Sequence, residues 1–160
     1  MLISKPLFIF EMANNHMGDI DHGIKIIDEI KKKSDLFPEF QFAFKLQYRD
    51  DSFFHPDHIN RKDHKLIKRF TETRLGDKNF TKLTNYIKKS GFLSICTPWD
   101  EKAVKYIVEK NYDIIKIASC SFNDWSLLES IAKEDNFIIA STAGATKLEI
   151  DKVNSFLRHK

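Results

Sequence analysis

The sequence predicts an α/β fold in which parallel strands alternate with helices. Three observations predict it. Five short apolar runs recur along the chain, separated by segments with helical periodicity. Three of these runs, at 93–97, 114–118 and 137–141, are almost continuously apolar, as strands are when both faces of their sheet are covered. Each run also ends on polar residues: Glu11, then Lys45-Leu46-Gln47, Thr97, Lys116 with Ser119, and Ser141-Thr142. A charge inside an apolar strand is costly unless it faces a site. Parallel α/β barrels build their pockets from such strand ends.

The elements follow in order. Residues 7–11 form the first strand, and 22–33 a helix with Ile24, Ile27 and Ile30 on one face and Asp19 or Asp21 as its N-cap. Residues 42–47 form the second strand. A charged, histidine-rich insertion at 48–74 follows, with a short helix at 64–70. A helix over 79–89 closes at Gly91, where glycine suits a left-handed C-terminal residue. Residues 92–97 form the third strand, stopped by Pro98, and 101–110 a helix carrying Val104, Ile107 and Val108. Strand four is 113–118, helix four 125–134, strand five 137–141 and helix five 147–158. Alternation of this kind implies right-handed crossovers within one domain. It fits two architectures: a complete five-stranded doubly wound sheet, or the first five units of an eight-unit barrel, which takes about 250 residues.

Composition narrows the function classes. The 160 residues are 42% hydrophobic and 31% charged, with a net charge of only +3. The basic runs Lys31-Lys32-Lys33 and Lys88-Lys89 fall at helix C-termini, where cations suit the dipole, so nothing points to nucleic acid. The fourteen phenylalanines lead us to expect a core dominated by aromatic packing. Cys96 and Cys120 have neither zinc spacing nor disulfide density, and are expected to be two buried, reduced thiols. Residues 1–6 run directly into a strand, with no targeting segment and no membrane span, so the expected location is cytoplasmic.

The polar residues suggest an anion site. Lys45 and Gln47 share one face of their strand, because side chains alternate with period two. Lys116 lies on another strand. Two interior lysines repel unless an anion sits between them, and that argues for a phosphate or carboxylate ligand. Glu11 is placed to act as a base or to orient water, with Asn14-Asn15-His16 close behind it. The small residues Ser141-Thr142-Ala143-Gly144 suit phosphate binding or an ordinary tight turn. His55, His58 and His64 lie near Asp57 and Asp63, but their spacing matches no standard zinc signature. Arg49, Arg69 and Arg74 either help hold an anion or solvate the insertion.

Taken together and in order, Glu11…Asn15-His16-x-Gly18-Asp19, Lys45-x-Gln47, Cys96-Thr97-Pro98-Trp99-Asp100, Lys116-Ile117-Ala118-Ser119 and Ser141-Thr142-Ala143-Gly144 resemble the sialic acid (N-acetylneuraminate or related nonulosonate) synthase family. The resemblance runs from Phe8 through the last helix. It selects the second architecture, a TIM-type barrel of which residues 1–160 supply about five of eight units. The later units and a small antifreeze-like domain would lie outside them.

The resemblance implies a transferase that condenses phosphoenolpyruvate with an N-acetylated sugar such as N-acetylmannosamine and releases phosphate. It implies that Glu11 takes part in catalysis and that Lys45, Lys116, Ser119 and Ser141 contact phosphoenolpyruvate. Gln47 and the Asn14, Asn15, His16 loop would shape the site, with Arg49, Thr97, Asn123 and Thr142 as neighbours. A divalent metal, Mn or Mg, would assist, held by histidines on later strands rather than by any residue of this chain. Partners would be the two substrates and either further copies or a longer chain that completes the barrel. On its own the chain is then expected to be inactive; a non-catalytic anion-binding module or a self-associating half-barrel is the alternative. Two positions depart from the family pattern: Ala143 stands where glycine is usual, and Tyr48 where threonine is common.

Overall fold

The computed structural model describes residues 2–49 and 64–159. Five strands form one sheet in the order β1-β2-β3-β4-β5, with ranges Leu7–Glu11, Gln41–Tyr48, Leu93–Pro98, Ile114–Ile117 and Phe137–Ala140. The helices are α1 Ile20–Ser34, α2 Lys65–Glu72, α3 Asp77–Lys89, α4 Glu101–Glu109, α5 Trp125–Ala132 and α6 Lys147–Arg158. The pairings β1 with β2, β3 with β4 and β4 with β5 are parallel. This strictly sequential order is that of barrel units. A doubly wound sheet reverses its order at a switch point, and none occurs here.

Local chemistry sets the element ends. Asp19 caps α1 by accepting from the Asp21 and His22 amides, Asp100 caps α4 through the Ala103 amide, and Asp124 caps α5 through the Leu127 amide. Thr146 and Glu149 form a full capping box on α6. The observed boundaries differ from the sequence expectations by at most two residues at any end, as fraying ends allow.

The described residues fall into two compact units, 2–46 with 64–94 and 47–49 with 95–159. In the first, α1 packs on α3, and Ile27, Phe44, Leu46, Leu83 and Ile87 are fully buried. The β1–β2 register pairs Phe8 with Phe42 and Phe10 with Phe44. That puts four rings on one face, where Phe10 stacks on Phe42 at 5.7 Å and Phe44 meets Phe92 edge-on at 5.0 Å. In the second unit, α4 packs on α5, and the core is Ile95, Ile107, Ile114, Ile115, Ile117, Leu127, Leu128 and Ile131. Each such side chain contributes roughly 1.5–3 kcal/mol on burial.

Three expectations need correction. The core is not predominantly aromatic: Phe44, Phe80, Phe92 and Phe122 are the buried phenylalanines among the described residues, whereas Phe8, Phe37 and Phe137 are exposed. Aliphatic side chains fill the strand and helix faces instead. Cys96 is buried, but Cys120 is exposed, because β4 has already given way to a 3-10 turn over Ser119–Ser121. Strand β5 is not covered on both faces: Phe137 is 47% exposed and the rest of the strand is half-buried. An apolar run specifies a strand without specifying what covers it.

Candidate functional site

In the first unit, the β1–β2 register sets Glu11 directly beside Lys45. The Lys45 Nζ lies 2.8 Å from Glu11 Oε2, with the lysine side chain 15% exposed and the glutamate 54%. The lysine is therefore held in place while its carboxylate partner remains open to solvent. The Lys45 carbonyl accepts from the Met12 and Ala13 amides at 3.0 and 3.1 Å, tying the start of the β1–α1 loop to the same strand.

That loop is tightly constrained. Ala13 and Met17 adopt φ of 42° and 54°, and Gly18 adopts 76°, conformations that cost side-chain-bearing residues energy. Asn14 is buried and donates from Nδ2 to Thr73 Oγ1 at 2.6 Å, while that hydroxyl donates to the Arg69 carbonyl. Asn15 is exposed and donates from Nδ2 to the Glu11 carbonyl at 3.2 Å. His16 is 3% exposed, and its Nδ1 accepts from the Gly18 amide at 3.1 Å. Burial, with a smaller contribution from His22, lowers the His16 pKa. The imidazole is thus neutral at pH 7, with its proton on Nε2. Gly18 fits because a Cβ there would lie 3.1 Å from the Arg74 carbonyl oxygen.

In the second unit, Lys116 lies on β4 in register with Ile139 of β5, and its Nζ donates to the Ile117 carbonyl at 2.7 Å. Ser119 is exposed at the start of the 3-10 turn that follows. Ser141 is half-buried, and its amide donates to the Ile117 carbonyl at 3.0 Å, which fixes the end of β5 against β4. Thr142 is exposed in the turn before α6, where Gly144 takes φ 82° with no atom within 4 Å of where a Cβ would sit. Thr97 is buried at 3% exposure, and Gln47 is half-buried. Asn123 is exposed, and its Nδ2 donates to Glu149 Oε1 at 2.8 Å.

Both lysines have a local partner. Lys45 has Glu11, and Lys116 has a carbonyl of its own strand. Each lysine is thus held by a partner within its own unit. Tyr48 stacks flat on Tyr106 of α4, with centroids 3.8 Å apart and an interplanar angle of 2°. The Arg49 guanidinium lies 4.4 Å from the Trp99 ring centroid. Sequence reasoning quoted Trp99 only as part of the 96–100 motif, with no role of its own, and did not single out Thr73. Thr73 lies far from Asn14 in the chain and carries no local signal.

Among the insertion residues, His55, His58, Asp57 and Asp63 lie outside the described residues. His64 sits at the N-cap position of α2 without a side-chain cap bond. Among the described residues, no group of three or more His, Cys, Asp or Glu side chains is disposed to hold a metal ion, so these residues do not fit the divalent metal expected for the family. No described helix is long and apolar enough to cross a membrane.

Comparison with known proteins gives three informative matches. A Chromobacterium violaceum protein assigned to spore coat polysaccharide biosynthesis (protein E) superposes with a TM-score of 0.93 and 53% identity, over 97% of this chain and 46% of that one. The N-acetylneuraminic acid (sialic acid) synthetase of Leptospira borgpetersenii, solved in complex with citrate, gives 0.80 and 26%, over 97% of this chain and 51% of that one. The N-acetylneuraminate-9-phosphate synthase of Mus musculus is 28% identical over 147 residues, covering 86% of this chain and 39% of that protein. The chain thus spans about half of the length of the solved relatives, and less of the mouse protein. The NeuB family model matches residues 42–160, and the chain belongs to the NeuB family.

Proposed function

We propose that the chain supplies phosphoenolpyruvate-binding and catalytic residues of a nonulosonate synthase, a transferase that joins phosphoenolpyruvate to an N-acetylated sugar such as N-acetylmannosamine. The observation that carries this reading is the Glu11–Lys45 pair at the carboxyl ends of two adjacent parallel strands. In barrel folds, catalytic groups sit at that end of the strands. Membership of a family whose named relatives are synthases supports it, as does a relative solved with the polyanion citrate.

In this reading, Lys45, Lys116, Ser119 and Ser141 contact phosphoenolpyruvate. The lysines supply charge-assisted bonds to its carboxylate and phosphate, and the hydroxyls donate to remaining oxygens. The methylene carbon of phosphoenolpyruvate attacks the sugar carbonyl carbon, whose oxygen takes up a proton to become a hydroxyl; the new carbon–carbon bond forms and positive charge is left on the adjacent carbon, the one that bears the phosphate oxygen. Water adds there, and the phosphate then departs. Glu11, half open to solvent beside Lys45, stabilises that charge or takes a proton from the water. Asn14 and His16 hold the β1–α1 loop that positions Glu11, and Gln47, Thr97, Asn15 and Thr142 shape the surroundings. Metal ligands would come from outside the described residues, and no step here is assigned to the metal.

The test is incubation of a complete barrel that contains this chain, supplied with Mn or Mg, with phosphoenolpyruvate and N-acetylmannosamine, following inorganic phosphate and the nonulosonate product. Stoichiometric release of both is expected. Absence of phosphate release with every N-acetylated hexosamine offered would overturn the reading.

A further inference from the structure

We infer that Thr73, the C-cap of α2, is a positioning residue for the reaction: it anchors the β1–α1 loop and, through it, fixes Glu11. The inference rests on the reading of Glu11 as a catalytic group of a phosphoenolpyruvate-dependent synthase. The loop needs anchors from outside. Ala13 and Met17 hold φ of 42° and 54°, and side-chain-bearing residues keep such conformations only where their surroundings over-determine them. Turns within the loop bond it to itself: the Asn15, Met17 and Asp19 amides donate to the Met12, Asn14 and His16 carbonyls. Bonds of that kind move with the loop and cannot set its place. Its place is set from β2, where the Lys45 carbonyl takes the Met12 and Ala13 amides, and from the end of α2. There Asn14 Nδ2 donates to Thr73 Oγ1 at 2.6 Å. A Cβ on Gly18 would lie 3.3 Å from the Glu72 carbonyl oxygen and 3.1 Å from that of Arg74.

The chemistry of Thr73 suits an anchor. The residue is buried. Its amide and its hydroxyl both donate to the Arg69 carbonyl, at 3.0 and 2.7 Å. The single hydroxyl proton is thereby committed, so towards Asn14 the oxygen is an acceptor only. The helix therefore sets where that acceptor points, and the Asn14 amide follows it. Asn15, the next residue, donates from Nδ2 to the Glu11 carbonyl at 3.2 Å. A continuous run of contacts thus leads from α2 through the loop to the backbone of Glu11. The Glu11 side chain is itself half open to solvent and tethered by Lys45, so its aim depends on where β1 hands over to the loop. A displacement of about 1 Å near a reacting group costs on the order of 100-fold in rate. Loss of the Thr73 acceptor acts on the placement of Glu11 and leaves the lysines that hold phosphoenolpyruvate where they are.

The test uses the complete barrel that contains this chain, supplied with Mn or Mg, with thermal unfolding run on every variant to verify folding. Thr73→Val keeps the shape and removes the hydroxyl, whereas Thr73→Ser keeps the hydroxyl. Thr73→Val should lower kcat by at least about tenfold while the KM for phosphoenolpyruvate stays within about twofold. Thr73→Ser should retain most of the wild-type rate, which a role in packing alone would not predict. On a Glu11→Gln background, Thr73→Val should cost little further, because both changes disable the same group. Hydrogen exchange reads the loop without turnover: the Asn15, Met17 and Asp19 amides should exchange faster in Thr73→Val, with the amides of β2 unchanged. Should Thr73→Val fail to fold, Thr73→Ala carries the same comparisons. A folded Thr73→Val protein with wild-type kcat or wild-type loop exchange overturns the inference. So does an equal fold loss on the wild-type and Glu11→Gln backgrounds. In each of these cases the wild type turns over and the synthase reading stands. Absence of turnover by the wild type would overturn the synthase reading, and the inference with it.

Discussion

The two units end their strands in different ways. In the first, the strand end is clamped. Glu11 pairs with Lys45, the Lys45 carbonyl takes two loop amides, and Gly18 is wedged against the Arg74 carbonyl. In the second, the strand ends are open. Ser119 and Thr142 are exposed, and Gly144 has no atom within 4 Å of a would-be Cβ. Under the proposed function, the contrast would divide the tasks. A clamped carboxylate–lysine pair suits a group that must be placed before reaction. Open hydroxyls on short turns suit groups that settle on a ligand as it arrives.

The largest effects should fall on the cations. Lys45→Met and Lys116→Met should each weaken phosphoenolpyruvate binding by roughly 100-fold, since each removes charge-assisted contacts of about 1.5–3 kcal/mol. The clamp predicts a further asymmetry. Glu11→Gln should lower kcat with little change in the KM for phosphoenolpyruvate, whereas Lys116→Met should chiefly raise that KM. Steady-state kinetics decide this, and equal effects of both changes on both constants would erase the distinction between the two ends.

The glycines come next. Gly18→Ala adds a Cβ that meets backbone at 3.1 Å in a residue with φ of 76°, so it should cost about 2 kcal/mol. Gly144→Ala meets only the conformational penalty at φ 82° and should cost about 1 kcal/mol. Urea unfolding of the two variants measures the difference, and a reversed order would mean that the first loop yields as easily as the second.

The fold was largely legible because strand alternation and helix caps are local. The Asp19 cap, the close of α3 before Gly91 and the whole span of α6 follow from residues a few positions apart. What escaped was long-range. Nothing near Asn14 announces Thr73, and no local pattern shows that Glu11 and Lys45 share a register. Cys120 was expected to be buried because its neighbours are apolar, yet the turn that exposes it depends on where β4 stops.

The smallest effect concerns pH and separates the clamped loop from the rest. Burial lowers the His16 pKa below that of the unfolded chain. The unfolded state therefore binds a proton more readily than the folded one. Stability should be full above the unfolded value near 6.5 and should decline as the pH falls through it towards the lower folded value, flattening below that. Protonation would also cost the bond that Nδ1 accepts from the Gly18 amide. Urea titrations at pH 7.5 and 5.0 should thus show a loss in the wild type that is smaller in His16→Gln, which carries no titrating group there. An equal loss in both proteins would place the acid sensitivity outside the β1–α1 loop and leave His16 with packing as its main role.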